Sequence, residues 1–291
     1  MPRTVGGNAV AQPSWELLAI YPCTDGLLID ESPLFDPKKP FQNRDPRLSA
    51  TIVEFGSEFL GVIYDPDPRA KKVLNVNTGQ MVENTDTKGY TQHASYNALQ
   101  LRKYADQNWN ADQADNPIVI MRYADVLLMY AEAKIELGEI DESVLDAINQ
   151  VRARAYQVEV GQTADYPAVQ STDAEQLRKI LRIERRIEFA WEHRRFWDLH
   201  RWKEFENALA RPYYGLLPIT EMNSKLIETD LWFWPITPTI DSKGYPNLDE
   251  LYKKGYSAKL GDRNFTAKQY RWPIPNKEIL INDHLKQNKG Y

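Results

Sequence analysis

The chain of 291 residues is long enough for one large domain or two small ones, and it can bury a sizeable core. Hydrophobic residues make up 42% and charged residues 26%, which is typical of a globular protein. The net charge of −5 argues against a nucleic-acid partner, because such a partner requires a basic surface. No run of about 18 apolar residues occurs, so the sequence predicts no membrane-spanning helix.

The single cysteine, Cys23, excludes a disulfide bond within the chain. The residues before Cys23 include neither a charged start nor a long apolar stretch, so we predict no signal peptide and no lipidation at this position. We expect Cys23 to be a small thiol that is buried or lies in a loop.

Residues 1–116 are rich in Pro, Gly, Asn and Asp, and several prolines interrupt the candidate helices. Short strands are predicted at residues 48–55 and 60–64, where β-branched and aromatic residues cluster. The remainder is predicted to form long ordered loops. Long loops inside a compact domain are commonly functional, so this part is the first place to look for a binding site.

The first clear helix is predicted over residues 117–137, because Asn116 can cap it and apolar residues recur at helical spacing. Gly138 ends this helix, as a C-terminal glycine does. Asp141 is the predicted cap of a second helix. A turn this short between two helices makes an antiparallel hairpin, which is the unit of helical-repeat proteins.

A third helical region is predicted to begin at the capping box 172–175 and to extend to about Trp202, with a break near His193. After Glu206 the chain becomes aromatic and rich in proline. Residues 231–236 and 270–275 are predicted to be extended, since a residue before proline avoids the helical conformation. We expect their Trp rings to pack across the helices.

Glu184 lies on a helix face among apolar residues, so its carboxylate should be buried and must be paired. One interpretation is a general acid with a raised pKa. The other is a structural ion pair with an arginine, and it is favoured because buried charges in helical packing are usually paired. The arginines available for this pair are Arg122, Arg152, Arg194 and Arg195.

No motif indicates a cofactor or a catalyst. His193 and His200 lie two helical turns apart, and no metal-binding HExxH or CxxC spacing occurs. The basic run 178–201 is interleaved with carboxylates, which favours a salt-bridged helix face over a nucleic-acid site. No phosphate-binding glycine loop or GxSxG motif is present. We therefore expect no metal, no organic cofactor and no catalytic residue.

Aromatic residues are frequent in the loop-rich part of the chain. Sugar rings have apolar C–H faces that stack on aromatic rings, and loop Asn, Asp and Arg side chains can hydrogen-bond the hydroxyl groups. Many such rings belong to the core instead, and we expect roughly two in three to be buried. The residues predicted to contact a ligand are Phe35, Phe59, Tyr64 and Trp109.

Four segments, in order, carry a family resemblance. They are DG at 25–26 with NRDPRL at 43–48, IMRYADVLLMYAEA at 120–133, IERRIEFA at 183–190 with RRFWDLHRW at 194–202, and WPIPNKEI at 272–279 with LKQNKGY at 285–291. Together they resemble the SusD/RagB family of Bacteroidetes outer-membrane nutrient-binding lipoproteins. The match is to the C-terminal half of this family, so its N-terminal repeats and lipidated leader are expected to be absent.

The resemblance implies a mainly α fold, with a tetratricopeptide-like helical hairpin scaffold, long irregular loops and a few short strands. One domain is expected over residues 1–291, with a loop-rich ligand-facing part (1–116), a helical scaffold (117–206) and an extended aromatic and proline-rich part (207–291).

The resemblance also implies function. It implies capture of oligosaccharides at the cell surface, without catalysis, and delivery to a SusC-like TonB-dependent transporter of the outer membrane. Membrane association would depend on a lipid anchor that is not in this chain. The alternatives are a peptide-binding member of the family, a helical adaptor that binds proteins, and, least favoured, a glycoside hydrolase, which needs two carboxylates at a defined separation.

Overall fold

The computed structural model describes residues 1–87, 94–106 and 116–291. Within these ranges the structure is mainly helical with short strands, as the sequence predicts. None of the helices in this part of the chain combines the length and the apolar character needed to cross a lipid bilayer.

Two short helices lie in the loop-rich part. Helix α1 (Trp15–Ile20) begins at Ser14, whose side chain accepts a hydrogen bond from the Leu17 amide. Helix α2 (Arg47–Thr51) occupies residues for which the sequence predicts the start of a strand, so that prediction is wrong. Pro46 explains the difference, because it adopts the helical conformation and its fixed φ angle favours the start of a helix.

A four-stranded antiparallel sheet follows, in the strand order β1-β2-β3-β4. Its strands are β1 (Ser57–Phe59), β2 (Val62–Tyr64), β3 (Lys72–Asn75) and β4 (Gln80–Glu83). The strand predicted at 60–64 is confirmed in β2, and the turn before it passes through Leu60 and Gly61, both at positive φ.

The predicted helical hairpin is confirmed as α3 (Tyr123–Leu137) and α4 (Glu142–Tyr156). Gly138 ends α3 in the left-handed conformation, and the Asp141 side chain caps α4 by accepting from the Ser143 amide. The predicted start of α3 is wrong. Helix α3 begins only after Arg122, whose backbone is extended and whose guanidinium donates to Glu188 and Glu192.

Helices α5 (Ala174–Glu188) and α6 (Arg194–Trp202) form the third helical region. Asp173 caps α5 by accepting from the Gln176 amide, so the cap is not the predicted Thr172. The break near His193 is confirmed, because Trp191 and His193 both have positive φ angles that a continuous helix cannot contain.

The rest of the chain contains short elements. They are α7 (Phe205–Ala208), β5 (Tyr213–Gly215), α8 (Ile219–Lys225), β6 (Thr239–Ile240), β7 (Pro246–Asn247), α9 (Asp249–Lys253), β8 (Ala258–Gly261) and α10 (Asn276–Ile281). Strand β5 pairs with β8, and β6 pairs with β7.

Two main hydrophobic clusters hold these elements together. One joins α3, α4 and α5, where Leu128, Ile148 and Leu181 are buried. The larger one joins α1 to the segment near 233, and Trp234 meets Trp15 edge-on at 5.9 Å. The expected packing of Trp rings therefore holds for Trp234. It is wrong for Trp272, which is 71% exposed.

Candidate functional site

Glu184 is fully buried and paired, as the sequence predicts. Its two carboxylate oxygens accept from Arg47 Nη1 at 2.5 Å and from Arg152 Nε at 2.8 Å. Burial alone would raise the pKa of this carboxyl, but the charges of Arg47 and Arg152 outweigh that effect and lower it. A general acid needs a raised pKa, so the structural interpretation of Glu184 is the one that fits.

The network around Glu184 joins the loop-rich part to the helices. Arg47 also contacts Asp45 at 2.7 Å and Glu188 at 3.0 Å. Glu188 in turn accepts from Arg122 at 2.8 Å. Farther along, Lys103 Nζ lies 2.6 Å from Glu192. These pairs fix the position of the loops that follow Asp45 relative to α5.

The predicted salt-bridged helix face is also present. Arg185 is buried and donates to Asp198 at 3.0 Å and to Asp125 at 3.2 Å. Arg201 pairs with Glu132 on α3. Arg185 and Arg201 of the basic run are therefore used in ion pairs between helices.

Two of the four predicted ligand contacts lie in the core. Phe59 and Tyr64 are 2% and 1% exposed and pack together with Val53. The Tyr64 hydroxyl donates to the Ala98 carbonyl at 2.8 Å. Stacking on a sugar needs an open ring face, so the prediction that these two rings form a stacking surface is corrected. The alternation of strand β2 directs Tyr64 inward.

The other two predicted contacts have different outcomes. Phe35 is half-buried against the larger core, and the Arg44 guanidinium lies 5.1 Å from its ring centroid. Trp109 lies outside the described residues. The contact of Phe35 and Trp109 with a ligand stays a prediction.

An open depression near these loops, which we call the loop groove, combines aromatic and charged side chains, but Phe35, Phe59 and Tyr64 are not among its lining residues. Its volume is about 290 Å³, and it is lined by Lys38, Lys39, Pro40, Phe41, Gln42, Glu54, Phe55, Gly56, Asp65, Asp67 and Trp232. Phe55 and Trp232 are half-buried, with ring centroids 6.3 Å apart. Phe41 supports Phe55 edge-on at 5.0 Å.

Charged groups of both signs surround these rings. Two exposed lysines, Lys38 and Lys39, line the groove. Asp65 and Asp67, which follow strand β2 in the chain, line it as well. Burial raises the pKa of the Asp65 carboxyl, although the hydrogen bond from the Asp67 amide opposes this. An aromatic platform with such donors and acceptors can bind the apolar face and the hydroxyl groups of a sugar ring.

No group of three or more His, Cys, Asp or Glu side chains is arranged to hold a metal ion within residues 1–87, 94–106 and 116–291. In the network around Glu184, the carboxylates of Glu184, Glu188 and Glu192 are each paired with arginine or lysine.

Comparison with known proteins identifies the family. A model of the SusD family matches residues 2–291. The chain belongs to the SusD family. SusD-like protein P38 of Formosa agariphila is 31% identical over 136 residues, which are 46% of this chain and 25% of that protein. SusD-like protein P2 of the same organism is 28% identical over 144 residues, 46% of this chain and 28% of that protein.

Solved structures of the SusD family have the same fold. A SusD-like carbohydrate-binding protein of Bacteroides fragilis gives a TM-score of 0.70 at 29% identity, over 98% of this chain and 50% of that one. Another SusD-like protein of B. fragilis gives a TM-score of 0.61 at 25% identity, over 96% of this chain and 47% of that one. The chain thus spans about half the length of these solved structures.

The loop groove of this SusD-family chain includes an aromatic residue, Trp232, that sequence reasoning missed as a ligand contact. Trp232 lies in an apolar run before Pro235, a pattern that predicts packing. Within that run Phe233 and Trp234 are buried, while Trp232 is half-buried and lines the groove. The sequence predicts an extended segment here, but Phe233 has a positive φ angle, so the segment is not a regular strand and nothing in the local sequence indicates which of the three rings stays half-buried.

Proposed function

We propose that this SusD-family protein binds an oligosaccharide in the loop groove and does not change it chemically. The observation that carries the proposal is the pairing of Phe55 and Trp232 in an open groove with charged neighbours. The SusD-like relative from B. fragilis that is described as carbohydrate-binding supports this choice of ligand.

The dimensions of the loop groove suit a short stretch of glycan. Its volume of about 290 Å³ lies near the lower end of ligand pockets, which span about 300–1,000 Å³. An open stacking site buries only part of a ligand, so we expect weak binding, in the micromolar to millimolar range, or about −8 to −4 kcal/mol. Phe35 and Trp109 are proposed as further ligand contacts.

Membership of the SusD family supports the wider role. We propose that the protein acts at the surface of the outer membrane and delivers its ligand to a SusC-like TonB-dependent transporter. We propose that a lipid anchor holds the protein at the membrane. No metal or organic cofactor is proposed.

A screen of neutral and acidic oligosaccharides by isothermal titration calorimetry tests the proposal. We expect binding of at least one glycan together with no release of reducing sugar on long incubation. Release of reducing sugar would favour a glycoside hydrolase, for which the raised pKa of Asp65 would be the relevant feature. Binding of peptides alone would favour the peptide-binding alternative, and capture of a transporter without glycan binding would favour an adaptor.

A further inference from the structure

A second, smaller cavity, which we call the arginine cavity, lies among α5, α6 and the segments near 211, 245 and 263. Its volume is about 160 Å³. Four arginines line it: Arg186, Arg195, Arg211 and Arg263. Glu16 is the one carboxylate among its lining residues that the structure describes.

The four arginines differ in how their charges are compensated. Arg263 lies 2.6 Å from Glu16 in an ion pair. Arg211 lies 3.8 Å from Asp241 and 3.7 Å from Asp249. For Arg186 and Arg195, no carboxylate lies within ion-pair distance in the described part of the chain.

Arg186 has no close ion-pair partner among the described residues, and the charge of Glu16 offsets its charge only in part. The Nη1 atom of Arg186 is buried and makes no hydrogen bond within the described residues. Burial, followed by the nearby charge of Arg195, lowers the pKa of Arg186 to about 9. Burial likewise lowers the pKa of Arg195, whose guanidinium lies 5.8 Å from the Tyr245 ring centroid.

A buried guanidinium nitrogen without a hydrogen-bond partner costs free energy, and so does the closeness of the two positive charges of Arg186 and Arg195. An anion that entered the cavity would remove the penalty. A carboxylate suits it best, because the planar fork of arginine donates two parallel hydrogen bonds to a carboxylate.

The remaining wall of the arginine cavity has a different character. Tyr245, Leu199, Leu248 and Pro212 provide apolar surface beside the guanidinium groups. A cavity of about 150 Å³ holds a benzene-sized ring. The cavity can therefore take an acidic group together with the adjoining part of a six-membered sugar ring.

We propose that the arginine cavity binds a single carboxylate-bearing sugar unit, a hexuronate, with its carboxylate held by Arg186 and Arg195. The choice of a sugar rests on the proposed function, but the site is separate from the loop groove. If ligand binding at one of the two sites is disproved, binding at the other site can still be tested by itself.

The test is calorimetric titration with sodium glucuronate, glucose and sodium acetate at constant ionic strength. We expect binding of glucuronate, with glucose and acetate both weaker by about tenfold or more. Arg186→Met should weaken glucuronate binding by a similar factor. It should also melt no lower than the parent, because the substitution removes an unpaired buried charge.

Arg178→Met is the matched control. Arg178 lies on the same helix, pairs with Glu136 at 2.7 Å and does not line the arginine cavity. This variant should bind glucuronate as the parent does.

Four results would overturn the proposal. Equal binding of glucose would show that the carboxylate is not recognised, and equal binding of acetate would show that the sugar ring is not. Unchanged glucuronate binding by Arg186→Met would place the ligand elsewhere. A large loss of thermal stability in that variant would show that Arg186 has a structural partner, and Arg186→Lys, which keeps the charge, would then melt like the parent.

Discussion

Arg47 and Glu184 lie 137 positions apart in the chain, yet Nη1 of Arg47 donates a 2.5 Å hydrogen bond to Oε1 of Glu184. Arg152 occupies the other oxygen of the same carboxylate. Glu184 therefore connects three segments: the loop-rich part through Arg47, α4 through Arg152, and its own helix α5. The loops that carry the proposed binding groove are held on the helices by this connection.

Loss of the Glu184 carboxylate should be costly. Glu184→Ala leaves the guanidinium groups of Arg47 and Arg152 buried with fewer partners, so we expect the free energy of unfolding to fall by about 3–5 kcal/mol. The matched control is Glu136→Ala, since Glu136 pairs with Arg178 on the surface. Its effect should stay below about 1 kcal/mol. Urea denaturation measures both, and a Glu184→Ala variant as stable as the control would contradict the structural role.

The same carboxylate predicts how stability depends on pH. The pKa of Glu184 is lowered below its ordinary value of 4.5 in the folded state, so its stabilising contribution is complete above pH 4.5 and is lost as the pH falls through the folded pKa. The pKa of Glu192 is lowered too, by its hydrogen bonds to Arg122 and Lys103, against the effect of burial.

We therefore expect the melting temperature of the parent to fall below pH 4.5. The melting temperature of Glu184→Gln should be lower than that of the parent above pH 4.5 and should change less as the pH falls, because glutamine does not titrate. Scanning calorimetry at several pH values measures this, and parallel curves for the two proteins would be inconsistent with the lowered pKa.

The buried and exposed tryptophans should respond differently to truncation. Trp15 is fully buried, and its indole nitrogen donates to the Asn97 carbonyl at 2.8 Å. Trp15→Ala should lower the free energy of unfolding by about 3–5 kcal/mol. Trp272→Ala should change it by no more than about 0.5 kcal/mol, because that side chain is largely exposed. If urea denaturation gave similar losses of unfolding free energy for the two variants, the Trp272 side chain would have to be packed against the rest of the protein.

Cys23 should be unreactive in the folded protein. Its side chain is fully buried, and burial raises the pKa of its thiol. A thiolate is the reactive species, so Ellman's reagent should label Cys23 slowly in buffer and at once in denaturant. Rapid labelling in buffer would show that the core around α1 opens easily.

The sequence was most informative where helical spacing and capping determine the structure. Asp141 and Gly138 marked the hairpin correctly, and the apolar face around Glu184 predicted a buried ion pair. Arg152 was among the partners expected for Glu184. Arg47 was not, because nothing in the local sequence indicates a contact that spans 137 positions.

The loop-rich part was harder to predict because tertiary contacts decide which rings are exposed. Phe59 and Tyr64 have the residue types of a stacking site but complete a small core. Phe55 is in the same part of the chain and reaches the groove together with Trp232. The sequence shows how many aromatic residues this part contains, but tertiary packing decides which of them are buried and which are exposed.

The most direct test of the proposed function is calorimetric titration of Trp232→Ala with a glycan found in the screen. We expect binding to weaken by about tenfold or more, since stacking on an aromatic ring supplies much of the affinity in an open groove. Trp272→Ala, which removes an exposed tryptophan that does not line the loop groove, should bind as the parent does. Full glycan affinity in a folded Trp232→Ala variant would contradict the assignment of the loop groove.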